Sequence, residues 1–537
     1  MKKILYPILL LFIIQGAFAQ LNQTEGSKKL SLVNYAINNL YVDTVTESRI
    51  VEAGIRAMLE ELDPHSAYLT AEEVQESNEE LNGNFDGVGI QFMMQKDTCY
   101  IIQTIAGGPC EKVGILAGDR IIFINDTLVA GVKLTANDIK KRLRGLRGTT
   151  VDVLIKRAGE KGLLPFRITR DQIPVHSVDA SYMVAKNVGY VKLSRFAATT
   201  FDEFVEAIVP MIRLNRMRNL IIDLQGNGGG YLSAAVGLCN MLLDEGNMIV
   251  YTQGRNAPRQ EEFSGEKGVF REGKLVVLVD EASASASEIL AGAVQDWDRG
   301  VIVGRRTFGK GLVQRPLQMP DGSMLRLTVA KYYTPTGRSI QRSYSEGNKA
   351  YRNDILDRYK RGEMISPDSI HFVDSLKYTT LKNGRTVFGG GGIMPDCFIP
   401  LDTSNYTDYH RDIVAKGIMP QLAAEYSEKN KQEILSLYRR EKNFIEEYQV
   451  SDSLMTQLTN LATQEGIEYK AEEYETSKEL ISLQMKALIA RDLYEQSSYY
   501  KVINTGANPA LTRALEIIAN DEEYDALLGN KAKEKKR

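Results

Sequence analysis

Cysteine and histidine are scarce, with four of each in 537 residues. Cys99, Cys110, Cys239 and Cys397 form no C-x-x-C pair and no Cys/His ligand spacing, which argues against a zinc site. They read as unpaired small core residues, with a Cys99–Cys110 bridge open to a secreted chain. The histidines, at 65, 176, 371 and 410, make no H-E-x-x-H, and none sits in a motif that reads as catalytic. An excess of charge is also missing: the formal net charge is −3, with no basic stripe, which sets nucleic acid aside as a partner. Beyond the N-terminus, no apolar run approaches the roughly 20 residues a bilayer span needs.

What is present is ordinary globular material, 43% hydrophobic and 25% charged, long enough for three or four domains. Lys2 and Lys3 precede an apolar run from Ile4 to Ile14, and Ala17-Phe18-Ala19 supplies a small-x-small site. The pattern is that of a secretory signal cleaved after Ala19. An uncleaved anchor is the alternative, and no cysteine follows to carry a lipid. Residues from about 28 to 82 read as helical, with Ile50, Ile55, Met58, Leu59 and Leu62 at helical spacing until Asp63-Pro64-His65 stops the pattern. From Phe85 to about Arg157 the chain turns to short strands and glycines, with a capped helix from Thr135 to Leu143. Strands and helices then alternate (Gly189–Leu193, Phe201–Leu214, Asn219–Leu224, Leu232–Leu243, Lys274–Val279, Ser287–Gln295, Val301–Val303), which implies a parallel or mixed sheet covered by helices. Residues 409–520 are helical, carry no readable chemistry and are expected either to cap the core or to mediate self-association, and the charged tail from Lys531 reads as disordered.

Four motifs carry the functional signal. In Ser283-Ala-Ser-Ala-Ser-Glu288 a buried strand meets a small-residue turn and a helix. A serine there is exposed at the strand's end, and the Ala286 N–H lies where a helix N-terminus favours an oxyanion. The same residues fit a capping box, so the motif needs a base before it means catalysis. Thr307-Phe-Gly-Lys-Gly-Leu-Val-Gln314 sets Lys310 between two glycines and near apolar side chains. To act as a base near neutrality its pKa must come down from about 10.4 to about 7, a cost of about 4 kcal/mol. The segment lacks the P-loop spacing, and Ser285 lacks the S-x-x-K pattern. Asp223-Leu-Gln-Gly-Asn-Gly-Gly-Gly230 follows a strand and can aim N–H groups at an anion, although a plain turn fits equally well. Gly87-Val-Gly-Ile90 feeds a strand in the β-rich unit, where loop N–H groups and a strand edge suit a peptide's terminal carboxylate; an ordinary strand entry is the alternative.

Together and in this order, the motifs resemble the carboxyl-terminal processing peptidases, or tail-specific proteases, over roughly residues 30 to 400. Leu62-Asp-Pro-His-Ser-Ala-Tyr-Leu69 is similar to the family's N-terminal signature, and residues 84–160 to its PDZ domain. The resemblance implies an α/β fold: a crotonase-like α/β spiral protease core with an inserted PDZ domain. It divides the chain into a signal peptide (1–19), an N-terminal helical segment (20–83), the PDZ domain (84–160), the core (161–404) and a helical C-terminal extension (405–537). It implies Ser285 as nucleophile, Lys310 as general base and Gln314 as the group orienting the amine. The oxyanion donors would be the N–H of Ala286 and of Gly229 or Gly230. Val88, Gly89 and Ile90 would bind a substrate carboxylate, and Arg144 would take part in substrate sensing. Family loops read Leu-Arg-x-Asn-Pro-Gly-Gly, whereas Gln225 and Gly228 replace the Arg and Pro here, so the oxyanion glycine stays open. The implied activity is a serine endopeptidase acting on protein tails with free C-termini, without metal or nucleotide cofactor, in the periplasm. An adaptor protein and a homo-oligomer stay open as partners. The rival readings are a non-catalytic tail-binding scaffold and a small-ligand carrier on the same core.

Overall fold

The computed structural model describes residues 24–105, 107–265 and 268–530. The signal segment expected at 1–19 and the charged tail from Lys531 lie outside them.

Helices Glu25–Leu40 and Glu47–Glu60 open the described chain. The turn that follows is built by Asp63, whose Oδ1 accepts the N–H groups of His65 and Ser66, both at 2.9 Å. Asp side chains favour such turns because they imitate a backbone carbonyl. Strand β1 (Ala67–Leu69) and helix α1 (Ala71–Asn82) come next. Thr70 and Glu73 form a capping box at the start of α1, and Gly83 closes it with φ 73°.

Residues 84–174 form a unit with its own core, including Ile101, Ile121, Ile139 and Val153. Asn84–Gly87 pairs antiparallel with Asp171–Pro174, a two-stranded stalk where the chain enters and leaves. Above the stalk is a six-stranded antiparallel sheet with strand β2 (Ile90–Gln95) at one edge, accompanied by helix α2 (Ala136–Leu143). The sheet takes in Leu164–Thr169, so the unit extends past the boundary expected at residue 160. The strand carries Pro165, a residue that normally argues against a ladder position. Here the strand is the other edge of the sheet, where a missing N–H is tolerated.

The core sheet runs in the order β3 (Val178–Ala185), β4 (Val188–Leu193), β5 (Asn219–Asp223), β6 (Leu275–Val279), β7 (Val301–Gly304) and β10 (Cys397–Phe398). Strands β3 and β4 form an antiparallel hairpin, and every later pairing is parallel. All of β6 is buried. Leu275, Val277 and Val279 face one apolar cluster, while Val276 and Leu278 face another that includes Leu511, Ala514 and Ile517 of the C-terminal extension. A strand covered on both sides reads as a continuous apolar run, and each buried Leu or Val contributes about 1.5–3 kcal/mol. The extension therefore caps one face of the core sheet. It also has a core of its own, and Glu428 on its helix α4 (Ile418–Leu437) accepts the Tyr100 hydroxyl of the 84–174 unit at 2.9 Å.

A second sheet lies beside the first. Its hairpin, β8 (Leu312–Gln318) and β9 (Met324–Tyr333), sets Gln314 opposite Thr328. β1 pairs with the first residues of β9, which brings the Asp63 turn onto this sheet.

Candidate active site

β6 ends at Val279, and a short turn leads into helix α3 (Ala286–Asp296). The three serines of the turn have different jobs. Ser283 is fully buried and donates to the Leu224 carbonyl at 2.8 Å. Ser287 is fully buried and donates to the Asn227 carbonyl at 2.9 Å. Ser285, partly exposed between them, makes no side-chain cap hydrogen bond. Of the capping box, the arm that is hydrogen-bonded is the Glu288 carboxylate, which accepts the Ser285 N–H at 2.9 Å. Ser285 stands at φ 56°, ψ −113°, a conformation that costs a side-chain-bearing residue about 1–3 kcal/mol and persists only where its surroundings enforce it. The Ala286 N–H at the start of α3 takes no backbone partner among the described residues.

The glycine loop is pinned by Asn227, which is fully buried. Its side-chain amide donates to the Leu193 carbonyl at 3.0 Å, and its own carbonyl accepts the N–H of Ala284. Asn227 Oδ1 also accepts the Gly229 N–H at 2.9 Å, which removes Gly229 as an oxyanion donor in this conformation. The Gly230 N–H has no such partner among the described residues. Gly229 is required for space instead: at φ 98°, a Cβ there would stand 2.7 Å from Ser285 Cβ and 2.9 Å from the Ala286 nitrogen.

Lys310 lies in the loop between β7 and β8, half-buried. Burial pulls its pKa below the usual lysine value and the Arg326 charge adds to that, while Glu288 and Asp63 oppose it. Two buried side chains tie the Lys310 loop to the Ser285 turn. The Glu288 carboxylate, fully buried, accepts the N–H groups of Ser285 (2.9 Å), Gly309 (2.7 Å) and Lys310 (2.9 Å) and the Thr307 hydroxyl (2.6 Å). Burial pushes the Glu288 carboxyl up to about 7 against the pull of these four bonds. The Tyr332 hydroxyl lies 3.1 Å from the Ser285 carbonyl oxygen and 2.6 Å from that of Lys310. Sequence reading saw in Glu288 only a helix cap and did not single out Tyr332.

Among the described residues the Gln314 side chain makes one hydrogen bond, from Nε2 to Thr328 Oγ1 at 3.3 Å. His65 is a further unexpected neighbour. Its Nε2 lies 2.8 Å from the Tyr351 hydroxyl, and burial, then the Lys310 charge, lower its pKa to about 4. The motifs placed no histidine near the lysine; pairing of β1 with β9 does.

In the 84–174 unit, the loop before β2 is held by its carbonyls. Val88 O accepts the Cys110 N–H and Gly89 O that of Ile105, and the N–H groups of Val88 and Gly89 take no backbone partner among the described residues. Gly89 stands at φ 74° and Ile90 begins the open edge of β2. Arg144, at the end of α2, pairs with Glu79 of α1 at 2.6 Å and lies 4.9 Å over the Phe85 ring, so it joins this unit to the N-terminal helix. Among the described residues no cluster of three or more His, Cys, Asp or Glu could hold a metal ion.

Residues 187–347 match the model of peptidase family S41, and residues 87–165 match a PDZ domain. The carboxy-terminal-processing protease of Bartonella bacilliformis is 36% identical over 309 residues, which cover 57% of this chain and 70% of that protein. The chain belongs to the carboxy-terminal processing proteases. A further member, from Bacillus subtilis, is 33% identical over 331 residues, 61% of this chain and 68% of its own. Among solved structures, a photosystem II D1 C-terminal processing protease is 27% identical, over 59% of this chain and 91% of that one, with a TM-score of 0.34. Family membership makes the protein a protease with a PDZ domain that binds peptide. Residues 409–495 match a family of unknown function (DUF8443).

Proposed function

We propose that the protein is a secreted serine endopeptidase that selects protein tails through its PDZ domain and cleaves them with a Ser285–Lys310 dyad. The observation that carries this reading is the division of labour in Ser283-Ala-Ser-Ala-Ser287. The outer hydroxyls are spent on backbone carbonyls, while the middle one is uncommitted, partly exposed, on a strained turn and bound through Glu288 to the lysine loop. In its neutral form, which burial favours by lowering the pKa, Lys310 takes the Ser285 proton as Oγ attacks the scissile carbonyl. The oxyanion is met by the N–H groups of Ala286 and Gly230. As the intermediate collapses, the lysine proton goes to the leaving amine. Lys310 then draws a proton from water as the water oxygen adds to the acyl carbonyl, and returns that proton to Ser285 Oγ as the acyl–oxygen bond breaks and the acid departs. Export rests on the sequence of residues 1–19, and a mature N-terminus mapped to Gln20 is its check.

Tail selection would use the N–H groups of Val88, Gly89 and Ile90 on a terminal carboxylate, with the peptide added to the edge of β2. Binding is measured on the full-length Ser285→Ala variant, so that no peptide is consumed. An acid-ended peptide is expected to bind about 10-fold or more tightly than its C-terminal amide, since the amide loses the charge-assisted bonds. Equal affinity for the two forms would remove the carboxylate from the recognition scheme.

A further inference from the structure

The Thr328 hydroxyl on β9 stands between two side chains, 3.0 Å from Asp63 Oδ1 and 3.3 Å from Gln314 Nε2. It has one proton. The Asp63 carboxylate only accepts, so that proton points at Asp63, and Thr328 Oγ1 has only lone pairs left for Gln314. Gln314 must therefore turn its NH2 group toward Thr328. Its Oε1 accepts no hydrogen bond among the described side-chain contacts and is the free end of the amide. The arrangement is held from below. Asp63 is buried and also accepts the N–H groups of His65 and Ser66 and the Ser66 hydroxyl, while Ser66 Oγ accepts the Thr328 N–H at 3.1 Å. The β8–β9 register sets Gln314 opposite Thr328, two positions into the strand that leaves the lysine loop.

We infer that the Asp63–Thr328 pair is a positioning device for the dyad, fixing the Gln314 amide so that its carbonyl oxygen, and not its NH2 group, is offered to the Lys310 amine. The inference rests on the Ser285–Lys310 reading. A neutral amine has one lone pair, which must be free for the Ser285 proton, and N–H groups that a carbonyl can hold. A reversed amide would donate to the lone pair and quench the base. Asp63 has a second effect through its charge. The groups around Lys310 are Asp63 and His65 from the turn, Glu288 from α3 and Arg326 from β9, with Arg342 beyond His65. His65 is neutral across the working range, so removing the Asp63 anion leaves Arg326 less opposed and moves the acid limb of kcat to lower pH.

The test is steady-state kinetics of the full chain against pH for Thr328→Val, Thr328→Ser, Gln314→Ala, the Thr328→Val/Gln314→Ala double variant and Asp63→Asn, with Lys310→Ala as control. Thr328→Val, isosteric but without the hydroxyl, is expected to lower kcat by about 10–100-fold with KM within about 2-fold. Thr328→Ser restores the hydroxyl and with it most of the rate. The double variant should be no slower than Gln314→Ala, because both losses act through one group. Asp63→Asn should keep the turn, since an amide oxygen can take the bonds of Oδ1, and shift the acid limb downward. A fully active Thr328→Val, or losses that multiply in the double variant, would overturn the inference. If Thr328→Val does not fold, a Gln314→Ala variant with the parental kcat overturns it instead. Turnover by Lys310→Ala would reject the dyad itself, whereas an inactive Lys310→Ala beside an active Thr328→Val rejects only the positioning device.

Discussion

Alanine in place of Lys310 lowers kcat by about 10,000-fold or more, with the thermal midpoint of the folded protein close to that of the parent. The size of the effect follows from the proposed dyad: among the described residues the Ser285 hydroxyl makes no side-chain cap hydrogen bond, and without Lys310 it has no base to take its proton. Ser285→Ala is expected to be as inactive, and the double variant no worse than either, because the two side chains are one catalytic unit. Lys310→Arg should be inactive too, since a guanidinium stays protonated at any working pH. In the parent, kcat rises with pH along a limb set by Lys310. Burial and Arg326 have moved that limb below the usual lysine range, since both disfavour the ammonium form. Initial rates on an acid-ended peptide, with circular dichroism of each variant, are the check.

The second large effect is expected at Glu288. Glu288→Gln keeps the shape but offers one acceptor oxygen where the carboxylate offers two. In one orientation its NH2 group faces the N–H groups of Ser285 and Lys310; in the other it faces the Gly309 N–H and the Thr307 hydroxyl. Leaving two buried donors unpaired costs about 2–4 kcal/mol. The misplaced dyad should also lose about 100-fold in kcat, by loss of alignment between nucleophile and base. The pH dependence separates this from a packing defect. Glu288 has its carboxyl pKa raised from 4.5 to about 7, so across that interval the folded protein holds a proton that the unfolded chain has released. Its contribution to stability is therefore full below about 4.5 and falls away as pH rises through about 7. Denaturant melts across this range should show that decline in the parent and a flatter profile in Glu288→Gln.

Local chemistry made part of the site legible. A buried strand, a run of small residues and a helix announce Ser285, and flanking glycines announce Lys310, because each signal lies within a few neighbouring residues. Features made by pairing distant strands were not legible. Asp63 meets Thr328 across 265 residues, and His65 meets Tyr351 across 286, with no periodicity to show either contact. Glu288 was read as a helix cap because its other partners, Gly309 and Lys310, are 21 and 22 residues away. Gly229 and Gly230 looked equivalent as donors in a run of three glycines; the Asn227 side chain tells them apart by occupying the Gly229 N–H. The apolar β6 announced a buried strand, and of the two roles open to the helical extension, capping the core or self-association, the structure shows the first.

The measurement that bears most directly on the dyad is single-turnover acylation by an activated peptide ester, quenched in acid at intervals and mapped by mass spectrometry across pH. One acyl group is expected, on Ser285, forming at a rate that rises with pH along a single limb, with no acylation above background in Lys310→Ala. An acyl group on any other residue, or acylation of Lys310→Ala at the parental rate, would contradict the dyad.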